Sequence, residues 1–370
     1  MLLIFGIAIV CAGHWNRAIA RVLRWARSCR PNTLRSTLTR HCGRSGRSLA
    51  RSTSNKFSIQ CSDSFASANE EWLRAIRQAA PVPKPKTVFG IKFPNPIGLA
   101  AGLDKDGVAL SAWGALGFGF IEIGTVTAKP QQGNPRPRIF RFPEQRALIN
   151  SLGFNNDGAD AVAKRLRRLR DSRRWPSIPV GINIGKSKVA PLEEATEDYL
   201  CSFRLRHEFA DYIALNVSSP NTPRLRELQE PAALSHLLRA IRDENRAAKP
   251  LVVKISPDLS SAELERIIAT CEENGVSGII ATNTTLDHSS IPPMRDQAGG
   301  LSGAPLRAKS TAQVRSVVAK SKIPVIASGG ILDAQSAREK FEAGAELLQI
   351  YTGYIFRGPR LLSEIMETVP

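Results

Sequence analysis

The stretch VIASGGILDAQSAREKFEAGAELLQIYTG, residues 325–353, contains one complete unit of the fold. Its first apolar run, 325–330, precedes a helical pattern over 333–343, and a second apolar run follows at 347–353. A continuous apolar run between turn residues indicates a strand that is covered on both faces, as in a parallel sheet. The stretch therefore predicts a strand, a helix and a second, parallel strand.

The same unit recurs upstream along the chain. The other predicted strands are 96–102 (PIGLAAG), 118–126 (FGFIEIGTV), 180–185 (VGINIG), 212–218 (YIALNVS), 251–256 (LVVKIS) and 278–284 (GIIATNT). Helical patterns with charged faces lie between most of them, over 158–171, 193–209, 231–246, 260–274 and 309–320. Eight strands separated by helices predict an α/β protein with a closed (β/α)8 TIM barrel. No G-x-G-x-x-G follows the first strand, which counts against an open dinucleotide-binding sheet.

The net charge of +18 is concentrated at one end of the chain. Residues 1–62 contain ten Arg, one Lys and no acidic residue, so they carry +11 and leave +7 for the other 308 residues. Charge confined to one terminus belongs to a leader or a surface anchor more often than to a nucleic-acid face. We therefore expect no nucleic-acid partner.

The leader has the features of a targeting or membrane-anchoring segment. Its apolar run, residues 1–13, is shorter than the roughly 20 residues of a spanning helix. An amphipathic helical pattern over 15–26 follows, and 29–60 is rich in Ser, Thr and Arg, as in a mitochondrial transit peptide. A secretory signal and a wrongly predicted first exon are the alternatives.

Three segments follow from these patterns. Residues 1–62 form the basic leader, and 63–86 form a short helical N-terminal segment and linker, with its helix over 67–79. Residues 87–370 form the barrel. The six Cys and five His show no paired short spacing, so we expect neither a disulfide framework nor a metal site.

Polar residues collect at the carboxyl ends of the predicted strands, where barrels of this kind carry their active sites. They are Asp104 and Lys105, Thr125, Asn183, Asn216 to Asn221, Lys254, and Thr282 to Thr284. Six consecutive strands that end in such groups indicate a polar ligand over the barrel mouth. Lys105 and Lys254 would be costly near a strand core without a partner. They either reach the rim or pair with Asp104, or they are fixed cations beside an anionic ligand or an electron-accepting ring.

The last two strands end in a phosphate-binding pattern. Ser328-Gly329-Gly330 follows the seventh strand, and Tyr351-Thr352-Gly353 follows the eighth. Loops at these two positions are the usual phosphate site of the fold, because glycines let backbone N–H groups approach the oxygens. A phosphorylated cofactor whose ring lies over the barrel mouth fits FMN.

Eight motifs occur in order from residue 98 to residue 353: GLAAGLDKDG, GFGFIEIGTVT, GNPRPRIFR, INSLGFNN, NVSSPNTPRLRELQ, ATNTT, GGLSG and QIYTG. Together they resemble the class 2, quinone-dependent dihydroorotate dehydrogenases over residues 87–370. The resemblance implies an FMN-dependent oxidoreductase of pyrimidine biosynthesis that oxidises dihydroorotate to orotate and passes electrons to ubiquinone. It also implies association with a membrane surface, either the mitochondrial inner membrane or the bacterial cytoplasmic membrane.

The resemblance assigns two groups of binding residues. FMN would be held by Ala101, Gly102, Lys105, Thr125, Asn183, Asn216, Lys254, Thr282, Gly303, Gly330, Tyr351 and Thr352. Dihydroorotate would be bound by Lys105, Asn150, Ser151, Leu152, Gly153, Phe154, Asn216, Asn221, Asn283 and Thr284. Amides suit a flat ring that carries urea-like N–H and C=O groups, and Lys105 offers a countercharge to the carboxylate.

The resemblance also implies catalytic roles. Ser219 would be the general base that removes the C5 proton, with a proton relay through Thr222 and Phe154. Class 1 relatives carry Cys as the base, so Ser219 favours class 2. Arg141 and Tyr351 would lie on the quinone path.

Two alternatives remain open. The chain could be another FMN-barrel dehydrogenase with a different electron acceptor, or a barrel that binds a flavin without turnover. Ser219 and the absence of clustered Cys count against the first, and the presence of Lys105, Asn216 and Asn221 counts against the second.

Overall fold

The structure is a computed structural model and describes residues 83–369. The predicted leader and the predicted helix over 67–79 lie outside the described residues. The strands of the described part are, in chain order, β1 (Lys86–Val88), β2 (Ile91–Phe93), β3 (Ile97–Leu99), β4 (Phe120–Val126), β5 (Ile139–Phe142), β6 (Ala147–Asn150), β7 (Val180–Ile184), β8 (Tyr212–Asn216), β9 (Leu251–Ile255), β10 (Gly278–Ala281), β11 (Gly300–Gly303), β12 (Val325–Ser328) and β13 (Leu347–Ile350).

The α-helices of the same part alternate with the strands. They are α1 (Leu110–Ala115), α2 (Ala159–Asp171), α3 (Ala195–Arg204), α4 (Pro231–Glu244), α5 (Ser261–Glu273), α6 (Arg307–Lys320), α7 (Ala334–Glu342), α8 (Thr352–Arg357) and α9 (Arg360–Met366). Residues 83–369 contain no helix that is both long enough and apolar enough to cross a bilayer.

Eight parallel strands close into the predicted barrel, in the order β3, β4, β7, β8, β9, β10, β12 and β13, with β13 pairing back to β3. Every residue of these strands is buried, which explains their unbroken apolar runs. All eight predicted strands are confirmed. The structure ends five of them two or three residues earlier than predicted, because the terminal polar residues belong to the loops that form the barrel mouth.

Large aromatic rings fill the amino-terminal end of the barrel. The β1–β2 hairpin places Phe93 against Phe120, with ring centroids 5.1 Å apart. Interior glycines make room for the rings, since a Cβ on Gly98 would come within 2.2 Å of the Phe120 ring. A Cβ on Gly181 would likewise come within 2.1 Å of the Tyr212 ring. The amino-terminal end is therefore packed solid, and space for a ligand is left at the opposite end.

A small antiparallel sheet lies outside the barrel and forms one wall of that space. Strands β5, β6 and β11 pair in the order β11-β6-β5, with Asn150 opposite Gly300. Phe142, Ile149 and Leu301 belong to its separate apolar core. This sheet was not predicted, because β5 has only one fully buried residue and therefore no apolar run, and β11 lies far from β6 in the sequence.

Helix ends are fixed by local hydrogen bonds. Ser260 caps α5 by accepting from the Glu263 N–H, and the Glu263 carboxylate accepts from the Ser260 N–H in return. Asp333 caps α7 in the same way through Ser336. Such capping holds the loops between strands and helices in register.

Candidate active site

The carboxyl ends of the barrel strands surround a pocket of about 910 Å³, part of which is open to solvent. Most of the predicted site residues line it: Ala101, Gly102, Lys105, Thr125, Asn150, Leu152, Gly153, Phe154, Asn216, Ser219, Asn221, Lys254, Thr282, Asn283, Thr284, Gly303, Gly330, Tyr351 and Thr352. These residues come from distant parts of the sequence, and the barrel brings them together at one mouth.

Four predicted site residues do not line this pocket. Asn183 is fully buried behind Thr125, to which it is hydrogen-bonded. Thr222 is also buried, and Ser151 stands next to Asn150 in the chain. Arg141 lies on β5, where its guanidinium is 4.8 Å from the centre of the Phe356 ring. Direct ligand contacts by these four residues stay predictions.

Ser328, Gly329 and Gly353 of the predicted phosphate-binding pattern also line the pocket. Further lining residues were not predicted from the sequence: Ala100, Ser302, Leu306, Ile331, Gln349 and Ile350. Gln349 carried a usable signal, since it is a polar residue inside the otherwise apolar β13. Leu306 and Ile331 gave no such signal, because the sequence does not show which surface an apolar side chain between strands and helices will contact.

A chain of hydrogen bonds links the polar side chains at the barrel mouth. The Thr125 hydroxyl donates to Asn183 Oδ1 at 2.6 Å, and Asn216 Nδ2 donates to the Thr125 hydroxyl at 2.8 Å. Asn283 Nδ2 donates to Asn216 Oδ1 at 3.2 Å and to Ser218 Oγ at 3.0 Å. Buried polar groups need such partners, and a fully bonded network holds them in one arrangement.

The chain of hydrogen bonds ends inside the barrel at a buried carboxylate. Glu122 has no exposed surface and accepts from Asn183 Nδ2 at 2.9 Å. Its other oxygen accepts from the Tyr212 hydroxyl at 3.0 Å and from Gln349 Nε2 at 2.6 Å. Burial, together with the Glu122 charge, raises the pKa of Tyr212 well above its ordinary value, so this phenol remains a donor.

Lys254 is a buried lysine whose side chain lines the pocket. Burial lowers the pKa of Lys254, and the charge of Glu122 opposes that shift. A buried ammonium beside a ligand ring stabilises negative charge that develops on the ring. Lys105, on the loop after β3, lines the same pocket.

The carboxylate of Asp104, which precedes Lys105 in the chain, accepts hydrogen bonds from the backbone of the same loop. It accepts from the Val108 and Ala109 N–H groups at 2.9 and 3.0 Å, and from the Trp113 indole at 3.0 Å. Burial nevertheless raises the pKa of Asp104. These bonds fold the loop that carries Lys105.

Ser219 lies in the loop after β8 and is 6% exposed. Its hydroxyl accepts from the Asn221 N–H at 3.3 Å, and Asn221 Nδ2 donates to the Asn150 side chain at 3.1 Å. Asn150 belongs to β6, so this contact joins the Ser219 loop to the small antiparallel sheet. The wall and the loop therefore close over the pocket together.

An ion pair holds the other end of the same loop. Arg226 Nε donates to the Ser218 carbonyl at 3.2 Å, and its guanidinium contacts Asp258 at 3.2 Å. Asp258 also accepts from Lys309 at 2.7 Å and from the Thr285 hydroxyl at 2.5 Å. Burial raises the pKa of Asp258, but these hydrogen bonds outweigh that effect and hold it below the ordinary value. Asp258 thus ties the Ser219 loop to the loop after β10.

The loop after β12 has the shape of a phosphate site. Gly329 and Gly330 have φ of +104° and +73°, which favour glycine. A Cβ on Gly330 would come within 2.3 Å of Arg307 Cα, so this loop touches the amino-terminal end of α6. Backbone N–H groups at a helix N-terminus and in a glycine turn attract phosphate oxygens. The residues present therefore fit a phosphorylated cofactor such as FMN.

A buried lysine is linked to that loop through Ser310. Lys340, on α7, has no exposed surface and donates to the Ser310 and Thr311 hydroxyls and to the Arg307 carbonyl. Ser310 Oγ in turn donates to the Gly329 carbonyl at 2.8 Å. Burial lowers the pKa of Lys340 to about 7.

Comparisons with known proteins agree with this geometry. The dihydroorotate dehydrogenase family model matches residues 85–370. The chain is 51% identical to a protein of Chloroflexus aurantiacus named dihydroorotate dehydrogenase (quinone), over 77% of this chain and 81% of that one. It is 50% identical to the protein of the same name from Salinispora arenicola, over 78% and 86% of the two chains.

Solved structures give the same result. The crystal structure of Eimeria tenella DHODH in complex with ferulenol superposes with a TM-score of 0.72 at 36% identity. The match covers 82% of this chain and 90% of that one. The ordered motifs, the closed barrel and these similarities lead to one conclusion: the chain belongs to the dihydroorotate dehydrogenase family.

Proposed function

We propose that this protein oxidises (S)-dihydroorotate to orotate with a bound FMN and passes the electrons to a quinone, as a step of pyrimidine biosynthesis. One observation carries the proposal beyond family membership. Ser219 lines the same pocket as the two lysines Lys105 and Lys254 and the glycine loop at Gly330. The proposed base, the two lysines and the proposed phosphate loop thus share one pocket.

The pocket offers partners for each part of dihydroorotate. Lys105 supplies a countercharge for its carboxylate, and Asn150, Asn216, Asn221 and Asn283 supply amides for its ring N–H and C=O groups. Thr284 and the segment from Ser151 to Phe154 complete the proposed substrate site. Most of these amides already bond one another, so their orientation does not depend on the substrate.

FMN would be held by the residues that the resemblance assigned, with Gly330 among those that would bind its phosphate and Lys254 among those that would bind its ring. When bound, the flavin accepts the hydride that leaves C6 of the substrate. Lys254 would stabilise the negative charge gained by the ring, because a buried ammonium has little competing water around it.

Ser219 would accept the proton that leaves C5, so that a C5=C6 double bond forms in orotate. A serine hydroxyl is a poor base, and it needs an onward path for the proton and a site that excludes water. Ser219, Thr222 and Phe154 are all nearly inaccessible, at 6%, 4% and 6% exposure. Their burial supports the proposed relay.

Quinone would approach along Tyr351, which lines the pocket, and Arg141, which stacks on Phe356 near the outer strand β5. The relatives from Chloroflexus and Salinispora are bacterial and carry quinone in their names. They favour the bacterial cytoplasmic membrane as the location of this protein, and they lend no support to the predicted mitochondrial inner membrane and transit peptide.

Absorption spectroscopy tests the proposal. The purified protein should be yellow and should lose its flavin absorbance when dihydroorotate is added without oxygen. Reoxidation should then be fast with a ubiquinone analogue and slow with fumarate or NAD. Bleaching followed by reoxidation with fumarate or NAD instead would indicate a different FMN-barrel dehydrogenase, and a flavin that never bleaches would indicate a non-catalytic barrel.

A further inference from the structure

We propose that Glu122, which does not line the pocket, is a positioning residue that fixes the donor and acceptor direction of the amides facing the substrate. The inference rests on the proposed function. It follows from the juxtaposition of one buried carboxylate with a single file of side chains that leads from the barrel interior to the pocket.

The carboxylate of Glu122 determines which groups its neighbours present to it. A carboxylate only accepts hydrogen bonds, whereas an amide or a hydroxyl can turn either way. Glu122 Oε1 is 2.9 Å from Asn183, and Oε2 is 3.0 Å from the Tyr212 hydroxyl and 2.6 Å from Gln349. All three neighbours must therefore present donors to Glu122.

The donor and acceptor direction set by Glu122 continues through Asn183 to the strand ends. Asn183 presents its Nδ2 to Glu122, so its Oδ1 faces Thr125, and the Thr125 hydroxyl must donate to it at 2.6 Å. A hydroxyl that has given its proton offers only lone pairs to its next neighbour. Asn216 must therefore donate its Nδ2 to Thr125, as observed at 2.8 Å.

The last hydrogen bonds of this series join side chains that line the pocket. With its Nδ2 committed, Asn216 turns its Oδ1 toward Asn283 Nδ2 at 3.2 Å and the Ser218 hydroxyl at 3.3 Å. Asn283 Oδ1 accepts from the Thr284 N–H at 2.8 Å. Asn216, Asn283 and Thr284 all line the pocket. Their presentation to a ligand is thus set, through three hydrogen bonds to Asn216 and one more to Asn283, by a residue that does not line the pocket.

Gln349 reaches the pocket from Glu122 by a second route. Its Nε2 donates to the carboxylate, which turns its Oε1 away from Glu122. This oxygen is buried without a hydrogen-bond partner among the described residues, and Gln349 lines the pocket. An unpaired buried acceptor is costly, so we assign it to an N–H of a bound ligand.

The test reverses the direction and then restores it. In Glu122→Gln, the carbonyl oxygen can keep the place of Oε2, where two donors meet, and the NH2 then faces the NH2 of Asn183. The Asn183 amide must therefore rotate to present its oxygen to position 122. Thr125 then donates to Asn216 instead of accepting from it, so the Asn216 amide rotates as well. We expect the dissociation constant for orotate, read from the flavin spectrum, to rise at least about tenfold. Flavin reduction by dihydroorotate should slow by a similar factor.

A second substitution should rescue the first. In Glu122→Gln combined with Asn183→Asp, the new amide at position 122 donates to the new carboxylate at position 183, which accepts again from the Thr125 hydroxyl. The original direction and the net charge of the site both return. Because Asn183 is also assigned to FMN, the double variant is compared with the single one at saturating FMN. We expect it to bind orotate at least about threefold more tightly than Glu122→Gln alone. Asn183→Asp alone places two carboxylates together and should be at least as weak as Glu122→Gln.

Tyr212→Phe is the matched control. It removes a donor from Oε2 and leaves the Asn183 side of the carboxylate as it is, so orotate affinity should change less than about threefold. FMN content and Tm, measured for every variant, show whether the fold is kept. A merely structural Glu122 predicts that the losses of the two single substitutions add in the double variant.

Two outcomes overturn the inference: orotate affinity within twofold of the wild type in Glu122→Gln, or a double variant that binds orotate no more tightly than Glu122→Gln alone. The proposed function is judged separately, by bleaching of the wild-type flavin with dihydroorotate. If the wild-type flavin bleaches but the double variant shows no rescue, the proposed function is supported and the role of Glu122 is contradicted.

Discussion

Substitution of Gly330 by Ala tests the phosphate site through a single methyl group. The new Cβ would lie 2.3 Å from Arg307 Cα and 2.6 Å from Arg307 N, whereas an ordinary contact needs about 3.4 Å. Both atoms belong to the backbone at the start of α6, so no side-chain rotation relieves the contact. The loop and the helix end must separate by roughly 1 Å.

Two costs follow from that geometry. An alanine at φ of +73° costs about 1–2 kcal/mol, and overpacking against the backbone costs about 1–3 kcal/mol more. The second cost falls on the surface that would hold the phosphate. We therefore expect the dissociation constant of FMN to rise by about 5- to 150-fold. Fluorescence quenching of free FMN by the apoprotein measures it directly.

Gly275→Ala separates strain from contact. Gly275 has a similar φ of +64°, but a Cβ there would meet nothing within 4 Å. This variant should lose about 1–2 kcal/mol of unfolding free energy and keep wild-type FMN affinity. Equal FMN affinity in Gly330→Ala and Gly275→Ala would refute the assignment of the phosphate to the loop after β12.

Three further predictions concern charged residues. The pKa of Lys340 is lowered from 10.5 to about 7, so between these values the unfolded chain binds more protons, and the contribution of Lys340 to stability should rise with pH. Urea unfolding of the wild type and of Lys340→Met at pH 7 and pH 9 gives the free energy of unfolding of each protein. The wild-type value minus the Lys340→Met value should rise from pH 7 to pH 9, and a fall would contradict the prediction. Asp258→Asn should loosen the Ser219 loop and slow flavin reduction about tenfold with FMN content unchanged, whereas Glu265→Gln, which breaks an exposed pair with Lys320, should have no such effect. Arg141→Ala should raise the KM for quinone and leave the KM for dihydroorotate alone; an unchanged quinone KM would remove Arg141 from the path.

The barrel could be predicted because its strands are buried on both faces. Such strands appear in the sequence as separate apolar runs, and eight runs with helices between them leave few topologies. The antiparallel sheet could not be predicted in the same way. Residues 139–142 are partly exposed, and 147–150 pair on their other edge with 300–303, about 150 positions further along the chain. Nothing in the local pattern indicates such a pairing.

The candidate site was predictable where a residue ends a strand. Asn216, Lys254 and Thr282 stand at strand ends, and the register of the barrel then places them together. Glu122 and Gln349 were not predicted, although a polar residue inside a buried strand is a usable signal. Which neighbours each of them bonds depends on the closed barrel, so their roles could not be read from the sequence.

The rate of flavin reduction in Ser219→Ala tests the central claim most directly. The claim is that Ser219 and the flavin act on opposite sides of one substrate, so removal of the hydroxyl should leave a yellow protein that still binds FMN and orotate. Mixed anaerobically with dihydroorotate, this protein should bleach at least about a hundredfold more slowly than the wild type. Bleaching at the wild-type rate would contradict the account, because the proton at C5 would then leave without Ser219.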